Sequence, residues 1–146
     1  MGARSSGREA ALQMLFSIEA TDTAPDRVMF DFWREFPGDA EGRAYAETLV
    51  SGVSVERTAL DTSIARASEH WRLERMNRVD RNVLRIATWE LLHRPDVPRA
   101  VILDEAVELA KRFGTEDSGG FVNGVLSRVA DESGRIVEQE PTDSER

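Results

Sequence analysis

The sequence predicts an all-α fold of about seven helices in two packed layers. Apolar residues recur at intervals of three and four along almost the whole chain of 146 residues, which is the period of an amphipathic helix. No stretch alternates apolar and polar residues for long enough to indicate a β-strand. Short connections separate the periodic segments, and such connections are typical of antiparallel helices in a packed layer.

Seven apolar stripes identify the helical segments. In chain order they are Ala11, Leu15, Ile18; Met29, Phe32, Trp33, Phe36; Ala46, Val50, Val53; Leu60, Ile64, Ala67, Trp71; Val79, Val83, Ile86, Ala87; Ile102, Ala106, Leu109, Phe113; and Val122, Val125, Leu126, Val129. Ser6 and Glu9 have the spacing of a capping box, so we expect the first helix to begin there. A bend between residues 52 and 56 is expected to separate the third segment from the fourth. Gly114 is placed to end the sixth segment.

Composition limits the class of protein. The chain has no cysteine, which excludes disulfides and zinc–thiolate sites and favours a cytoplasmic protein. No run approaches the roughly 18 consecutive apolar residues that a membrane span needs. The length suits one domain, which we place at residues 1–131. The remaining residues, 132–146, are acidic and are predicted to be disordered.

Charge is unevenly distributed along the chain. The net charge is −8, which argues against broad nonspecific binding to nucleic acid. Residues 66–99 nevertheless carry eight arginines against five acidic residues. Arginine binds phosphate and carboxylate well. These arginines therefore either pair with neighbouring acidic residues on solvated helix faces, which composition alone favours, or form a local basic binding face.

No arrangement of residues indicates an enzyme, a metal or a cofactor. The two histidines, His70 and His93, are far apart and lack the spacing of metal ligands. Asp104 and Glu108 are one helical turn apart, but a pair between Glu108 and Arg112 on a solvated face explains them more simply. We therefore expect a binding protein without catalytic residues.

The stretch "GTEDSGGFVNGVLSRV", residues 114–129, is unusual for a helix. Each glycine costs about 1 kcal/mol against alanine in a helix interior. Phe121 falls at the edge of the apolar stripe, where it either widens the core or offers a ring for stacking. Gly119 and Gly120 would let a partner approach closely, whereas Gly124 is expected to allow close packing between helices.

Residues 79–130 closely resemble the C-terminal half of the NusB family of bacterial transcription antitermination factors. The pieces that carry the resemblance are "DRNVLRIA", "DVP", "DEAVELAKRFG", "EDS" and "FVNGVL", in order and with the family's spacing. "REAALQMLFS", "LVSGV" and "LD" extend a looser match over the first half. The resemblance covers roughly residues 4–131 and implies a fold of two helical bundles.

The resemblance also implies a function. The family binds the boxA element of ribosomal-RNA leader transcripts together with a small ribosomal protein, called NusE in this role, and helps RNA polymerase read through terminators. By position, the implied RNA-binding residues are Arg4, Arg8, Asp117 and Phe121. We add Ser118, Gly119 and Gly120, which lie between Asp117 and Phe121, to the predicted RNA-binding set. The implied contacts with the ribosomal protein are Phe16, Glu74 and Asp80.

Two departures from the family pattern bear on RNA binding. The N-terminal segment has only two arginines, and "SGGF" has no basic residue directly before Phe121. Each missing phosphate contact weakens RNA binding and its salt dependence, so we expect the basic partner to contribute much of the attraction. An alternative function is a self-associating helical module, in which a homodimer masks the RNA surface around Phe121 or Trp33.

Overall fold

The computed structural model describes residues 2–69 and 71–135 and confirms the all-α prediction. Within these ranges the chain forms six α-helices, one short 3-10 helix and no strand. The α-helices are α1 (Ala3–Thr21), α2 (Pro25–Glu35), α3 (Ala40–Ala67), α4 (Arg78–His93), α5 (Arg99–Phe113) and α6 (Ser118–Glu132). The 3-10 helix, Leu73–Arg75, lies between α3 and α4.

The third and fourth apolar segments form one long helix with a kink. Glu56 has φ −104° and ψ 16°, values outside the helical range, at the end of the stretch where the sequence predicts a bend. The helix continues beyond this kink to Ala67 and stops at Ser68, whose backbone N–H bonds to the carbonyl of Ile64. Trp71 therefore lies beyond the helix, although it fits the spacing of its stripe.

The helices pack in two bundles that share α3. The N-terminal part of α3 packs with α1 and α2, and its C-terminal end packs with α6. Helix α4 packs with α5 and α6. Helix α4 also contacts α1, so it joins the two bundles. Leu49, Leu60, Leu84 and Leu126 are fully buried and represent the continuous apolar core.

Close packing explains a glycine in the middle of α3. A Cβ atom on Gly52 would lie 2.4 Å from the indole ring of Trp89 on α4. Real Cβ atoms do not approach ring atoms so closely, so only glycine allows α4 to dock here. The Trp89 indole N–H donates a 3.1 Å hydrogen bond to Glu56, which fixes the ring beside the kink.

Side chains define several helix ends, and one of them differs from the prediction. Helix α1 begins at Ala3, after Gly2, so Ser6 lies inside the helix and the predicted capping box does not form. At α4, Asn77 accepts a 2.8 Å hydrogen bond from the backbone N–H of Asp80. This is the usual bond of an N-cap residue.

The C-terminal end of the described chain is held against the second bundle. Arg135 donates hydrogen bonds of 3.0 Å and 2.6 Å to the carbonyls of Leu91 and Val97. The described part thus continues a few residues past position 131, the predicted end of the domain. The rest of the predicted disordered tail lies outside the described residues.

Candidate nucleic-acid interface

A groove of about 640 Å³ runs between α6 and the connection from α3 to α4. We call it the α6 groove. Its lining residues are Ser68, Trp71, Arg75, Met76, Asn77, Asp80, Thr115, Asp117, Gly120, Phe121, Gly124, Val125 and Arg128. The groove therefore brings together three of the predicted RNA-binding residues, Asp117, Gly120 and Phe121, with one predicted protein contact, Asp80.

Phe121 both widens the core and offers part of its ring to the groove, the two alternatives that the sequence leaves open. Its ring is partly buried and packs against the hydrophobic core. The same residue lines the α6 groove, so part of it faces the open space. A ring that is fixed on one side by the core and accessible on the other is suited to stacking on a planar ligand.

The three glycines of this region lie in different surroundings. A Cβ atom on Gly119 would lie 3.0 Å from the Lys111 side chain on α5, so Gly119 packs against α5 and does not face a partner. A Cβ atom added to Gly120 or to Gly124 would have no neighbouring atom within 4 Å, so both glycines face open space. This corrects the expectation that Gly124 allows close packing between helices.

Asp117 and Ser118 also differ from one another. Ser118 is buried, and its hydroxyl accepts a 2.8 Å hydrogen bond from the backbone N–H of Thr115, so it fixes the turn before α6. Asp117 is exposed, and its side chain makes no capping bond to α6. Its carboxylate is therefore available to accept hydrogen bonds from a ligand in the α6 groove.

The structure adds Trp71 to this interface. Its spacing predicts a place in a core stripe, but it is 52% exposed and forms part of the groove wall opposite α6. Its backbone is held by Ser68, since the Trp71 N–H donates to the Ser68 carbonyl at 2.8 Å and the Ser68 hydroxyl donates to the Trp71 carbonyl at 3.2 Å. The signal in the sequence is misleading because the helical spacing continues past the end of α3.

The predicted protein contacts occupy different environments. Glu74 is highly exposed on the 3-10 helix. Phe16 is 39% exposed on α1, with the Arg78 guanidinium 5.4 Å from its ring centre. Asp80 is buried in the groove wall, and its Oδ1 has no hydrogen-bond partner among residues 2–69 and 71–135. Only Asp80 of these three lines the α6 groove.

The N-terminal arginines do not line the α6 groove. Arg4 is half-exposed and pairs with Asp96 at 3.1 Å. The side chain of Arg8 is only 3% exposed, and its Nη2 lies 2.8 Å from Oε2 of Glu90. Arg8 therefore lies in the core and not at the surface predicted for it, because Glu90 supplies its counter-charge there. In this structure its guanidinium is inaccessible to RNA.

Arg8 belongs to a buried polar cluster that joins three helices. The Tyr45 hydroxyl on α3 donates a 2.5 Å hydrogen bond to the Glu90 carboxylate on α4, which also accepts from Arg8 on α1. Burial, followed by the charge of Glu90, raises the pKa of Tyr45 above its ordinary value. The phenol therefore stays protonated and remains a donor to the carboxylate.

A second cluster surrounds Glu19 on α1. Its carboxylate accepts hydrogen bonds from Arg81 and Arg85 on α4, the latter at 2.6 Å. Arg85 also binds Asp61 on α3 at 2.7 Å. Burial alone would raise the pKa of Glu19, but the bonds and charges of the two arginines outweigh it and lower the pKa to about 2. This cluster ties the first bundle to α4.

Other kinds of site have little support in the part of the chain that the structure describes. No group of three or more histidine, aspartate or glutamate side chains is arranged to hold a metal ion there. None of the helices found in those residues is both long and apolar enough to cross a membrane. Taken together, the fold and the α6 groove define an all-α module of two helical bundles with an aromatic, arginine-bordered binding surface.

Comparison with known proteins identifies the family. The NusB family model matches residues 5–131. The chain is 65% identical to the transcription antitermination protein NusB of Sorangium cellulosum, over 93% of this chain and 97% of that protein. It is 48% identical to the protein of the same name from Geobacter sulfurreducens, over 89% and 95% of the two chains. The chain belongs to the NusB family.

Solved structures of NusB proteins share the fold. NusB from T. maritima superposes with a TM-score of 0.82 at 41% identity, covering 88% of this chain and 91% of that chain. A structure of the antitermination factors NusB and NusE in complex with double-stranded RNA gives a TM-score of 0.80 at 25% identity, covering 90% and 98%. These matches agree with the two-bundle architecture expected from the resemblance.

Proposed function

We propose that this protein is an antitermination adaptor that binds boxA-type RNA of ribosomal-RNA leader transcripts jointly with the small ribosomal protein NusE. In this role it helps RNA polymerase read through terminators. The observation that carries the proposal is the half-buried ring of Phe121, which lines the α6 groove beside the available carboxylate of Asp117. A fixed aromatic face with polar groups beside it suits recognition of single-stranded RNA.

Family membership supports the same ligand class. A relative of this fold has been solved with NusE and double-stranded RNA. For the present chain we propose that the recognised nucleotides are single-stranded, because a stacking ring reaches the face of a base only when the base is unstacked. Phe121 and Asp117 remain in the proposed RNA-binding set, together with Gly120. Arg4, which is half-exposed, would contact the RNA backbone.

The acidic character of the protein is consistent with a basic protein partner. The net charge of −8 attracts a basic ribosomal protein and opposes the binding of RNA alone. Glu74 and Phe16 are exposed and would contribute to that contact. RNA would then be held jointly by the two proteins, and the positive charge of the partner would supply phosphate contacts that this chain lacks.

Fluorescence anisotropy with a labelled boxA-type RNA and a scrambled RNA tests the proposal. We expect preferential binding of the boxA-type RNA that strengthens when NusE is added. Phe121→Ala should weaken it by about 1 to 3 kcal/mol, the usual contribution of a base–aromatic stack. Phe30→Ala is the matched control, because Phe30 is 62% exposed on α2 and does not line the α6 groove. Equal binding of the two RNAs with and without NusE would contradict the proposal.

A homodimer that masks the RNA surface is the second candidate. The observation in its favour is the accessible aromatic surface of the α6 groove itself, which Phe121 lines together with the 52% exposed Trp71. Burial of such apolar area stabilises self-association. Light scattering over a range of protein concentrations distinguishes the candidates. A mass that doubles with concentration, together with RNA binding that falls as the dimer forms, would favour the dimer.

A further inference from the structure

Two aromatic side chains from separate parts of the chain line the α6 groove. Trp71 comes from the connection between α3 and α4, and Phe121 comes from the first turn of α6. The Phe121 side chain is partly buried against the core, whereas about half of the Trp71 surface remains exposed. Tryptophan rarely remains this exposed without a reason, since its large apolar surface is favourably buried.

The middle of the groove is kept open by glycine. Phe121, Gly124, Val125 and Arg128 all line it, and their spacing places them on one face of α6. No atom lies within 4 Å of the position where a Gly124 side chain would begin, so no helix contact requires this glycine. It lowers helix stability, and a side chain here would project into the groove. Gly124 therefore determines the depth of the groove.

Arginines with uncommitted charge border the same space. Arg75 is exposed and forms no ion pair with any residue in 2–69 or 71–135. Arg128 is also exposed, and within the same ranges its side chain makes one hydrogen bond, to the neutral carbonyl of Ala67 at 3.0 Å. Both guanidinium groups therefore keep their charge available for a phosphate, unlike the guanidinium of Arg8.

Hydrogen-bond acceptors complete the groove. The Asp117 carboxylate stands at the start of α6, and Asp80 lies in the opposite wall. Oδ1 of Asp80 is buried, so of the two side chains it is Asp117, which is exposed, that presents carboxylate acceptors to a ligand in the groove. Base edges carry amino and imino N–H groups that match such acceptors.

We propose that the α6 groove is a slot for one nucleobase of single-stranded RNA, inserted between Trp71 and Phe121. The phosphates on either side of that nucleotide bind Arg75 and Arg128. This inference rests on the proposed function and extends it, since it assigns Trp71, Arg75, Gly124 and Arg128 to the RNA-binding surface. An apolar side chain of a protein would fit the rings but would leave both arginines without a counter-charge.

Filling the groove tests the slot without disturbing the fold. Gly124→Leu places a side chain in open space, whereas Asn123→Leu adds the same side chain to an exposed position outside the groove. We expect Gly124→Leu to weaken binding of labelled boxA-type RNA, measured with NusE present, by about five-fold or more. Asn123→Leu should bind like the unmodified protein. Circular dichroism melting of both variants checks that they are folded.

Trp71 provides an independent arm of the same experiment. Trp71→Ala should also weaken RNA binding by about five-fold or more, and Trp71→Phe should restore most of it, because phenylalanine retains a stacking face. Unchanged binding in Gly124→Leu and Trp71→Ala, alongside a loss in Phe121→Ala, would overturn the slot and leave the RNA function standing. If the unmodified protein showed no preference for boxA-type RNA, both proposals would fail. If Gly124→Leu reduced capture of NusE in the absence of RNA, the occupant would be protein and the slot would be overturned.

Discussion

Arg8 and Arg75 carry the same charge in opposite surroundings. Arg8 is enclosed by α1, α3 and α4, where Glu90 binds its guanidinium at 2.8 Å. Arg75 projects from the 3-10 helix at the border of the α6 groove and has no ion pair within the described residues. The first arginine stabilises the junction of the two bundles, whereas the second is available to a ligand. Acidic residues close in space thus decide which arginines of this chain keep their charge available to a ligand.

The arginine-rich stretch of residues 66–99 shows the same division. Arg81 and Arg85 converge on Glu19, and Arg85 also binds Asp61. These two arginines hold α4 against α1 and α3. Arg75, a few residues earlier in the chain, is not drawn into this cluster. The arginines of this locally basic stretch therefore differ in role. Some form structural ion pairs, and others keep a guanidinium group available to a ligand.

Removing the enclosed arginine should have the largest effect. Arg8→Met leaves the Glu90 carboxylate buried without its cation, which typically destabilises a protein by about 3–5 kcal/mol. Urea denaturation measures the loss. The double variant Arg8→Met/Glu90→Gln removes the uncompensated charge and keeps an acceptor for Tyr45, so it should recover much of the stability. A loss below about 1 kcal/mol in Arg8→Met would show that the pair is unimportant for the fold.

Acid should weaken the Glu19 cluster next. The carboxyl has a folded-state pKa of about 2 against an ordinary value of 4.5, so folding favours its ionised form. Its stabilisation is complete above about pH 4.5 and is lost as the pH falls towards 2, an effect on the order of 2 kcal/mol. Glu19→Gln should therefore have a lower free energy of unfolding than the unmodified protein at about pH 7. This difference in unfolding free energy should narrow as the pH falls from about 4.5 to about 2. If urea titrations gave the same difference in unfolding free energy between the two proteins at neutral and acidic pH, this reasoning would be contradicted.

Two glycines provide the next comparison, since one is enclosed and the other is open. Gly52→Ala would force a Cβ atom against the Trp89 ring and should destabilise the protein by about 1–3 kcal/mol. Gly124→Ala meets no atom and replaces a poor helix former, so it should stabilise the protein by up to about 1 kcal/mol. Thermal unfolding of the two variants measures both changes. Effects of the same sign would contradict the assigned packing.

Much of the fold could be predicted from the sequence because helical periodicity is a local signal. The stripes identify every α-helix of the described chain, and the bend expected between residues 52 and 56 is present at Glu56. The bend does not break α3, however, since its hydrogen-bonded helix resumes directly after one non-helical residue. The spacing assigns Trp71 to the core because it follows Ala67 by four positions, and no local feature reveals that the helix stops at Ser68.

The site was harder to predict because its properties depend on distant partners. Arg8 is paired with Glu90, which is 82 positions away along the chain, so its burial could not be read from the N-terminal segment. The sequence favours an open Gly119 and a packed Gly124, yet Gly119 faces α5 and Gly124 faces open space. The resemblance to the NusB family directs attention to Asp117 and Phe121, but the place of Trp71 and Arg75 in the opposite wall emerges only from the fold.

The most direct test of the contrast between the enclosed cluster and the open groove uses the tryptophan indole signals in an NMR titration with boxA-type RNA and NusE. Trp71 lines the α6 groove, whereas Trp89 is buried and hydrogen-bonded to Glu56. The spectrum should therefore show a large shift of the Trp71 indole N–H, with the Trp89 signal and the backbone amides of Arg8 and Glu90 little changed. Shifts centred on Arg8 and Glu90, with Trp71 unmoved, would contradict the account.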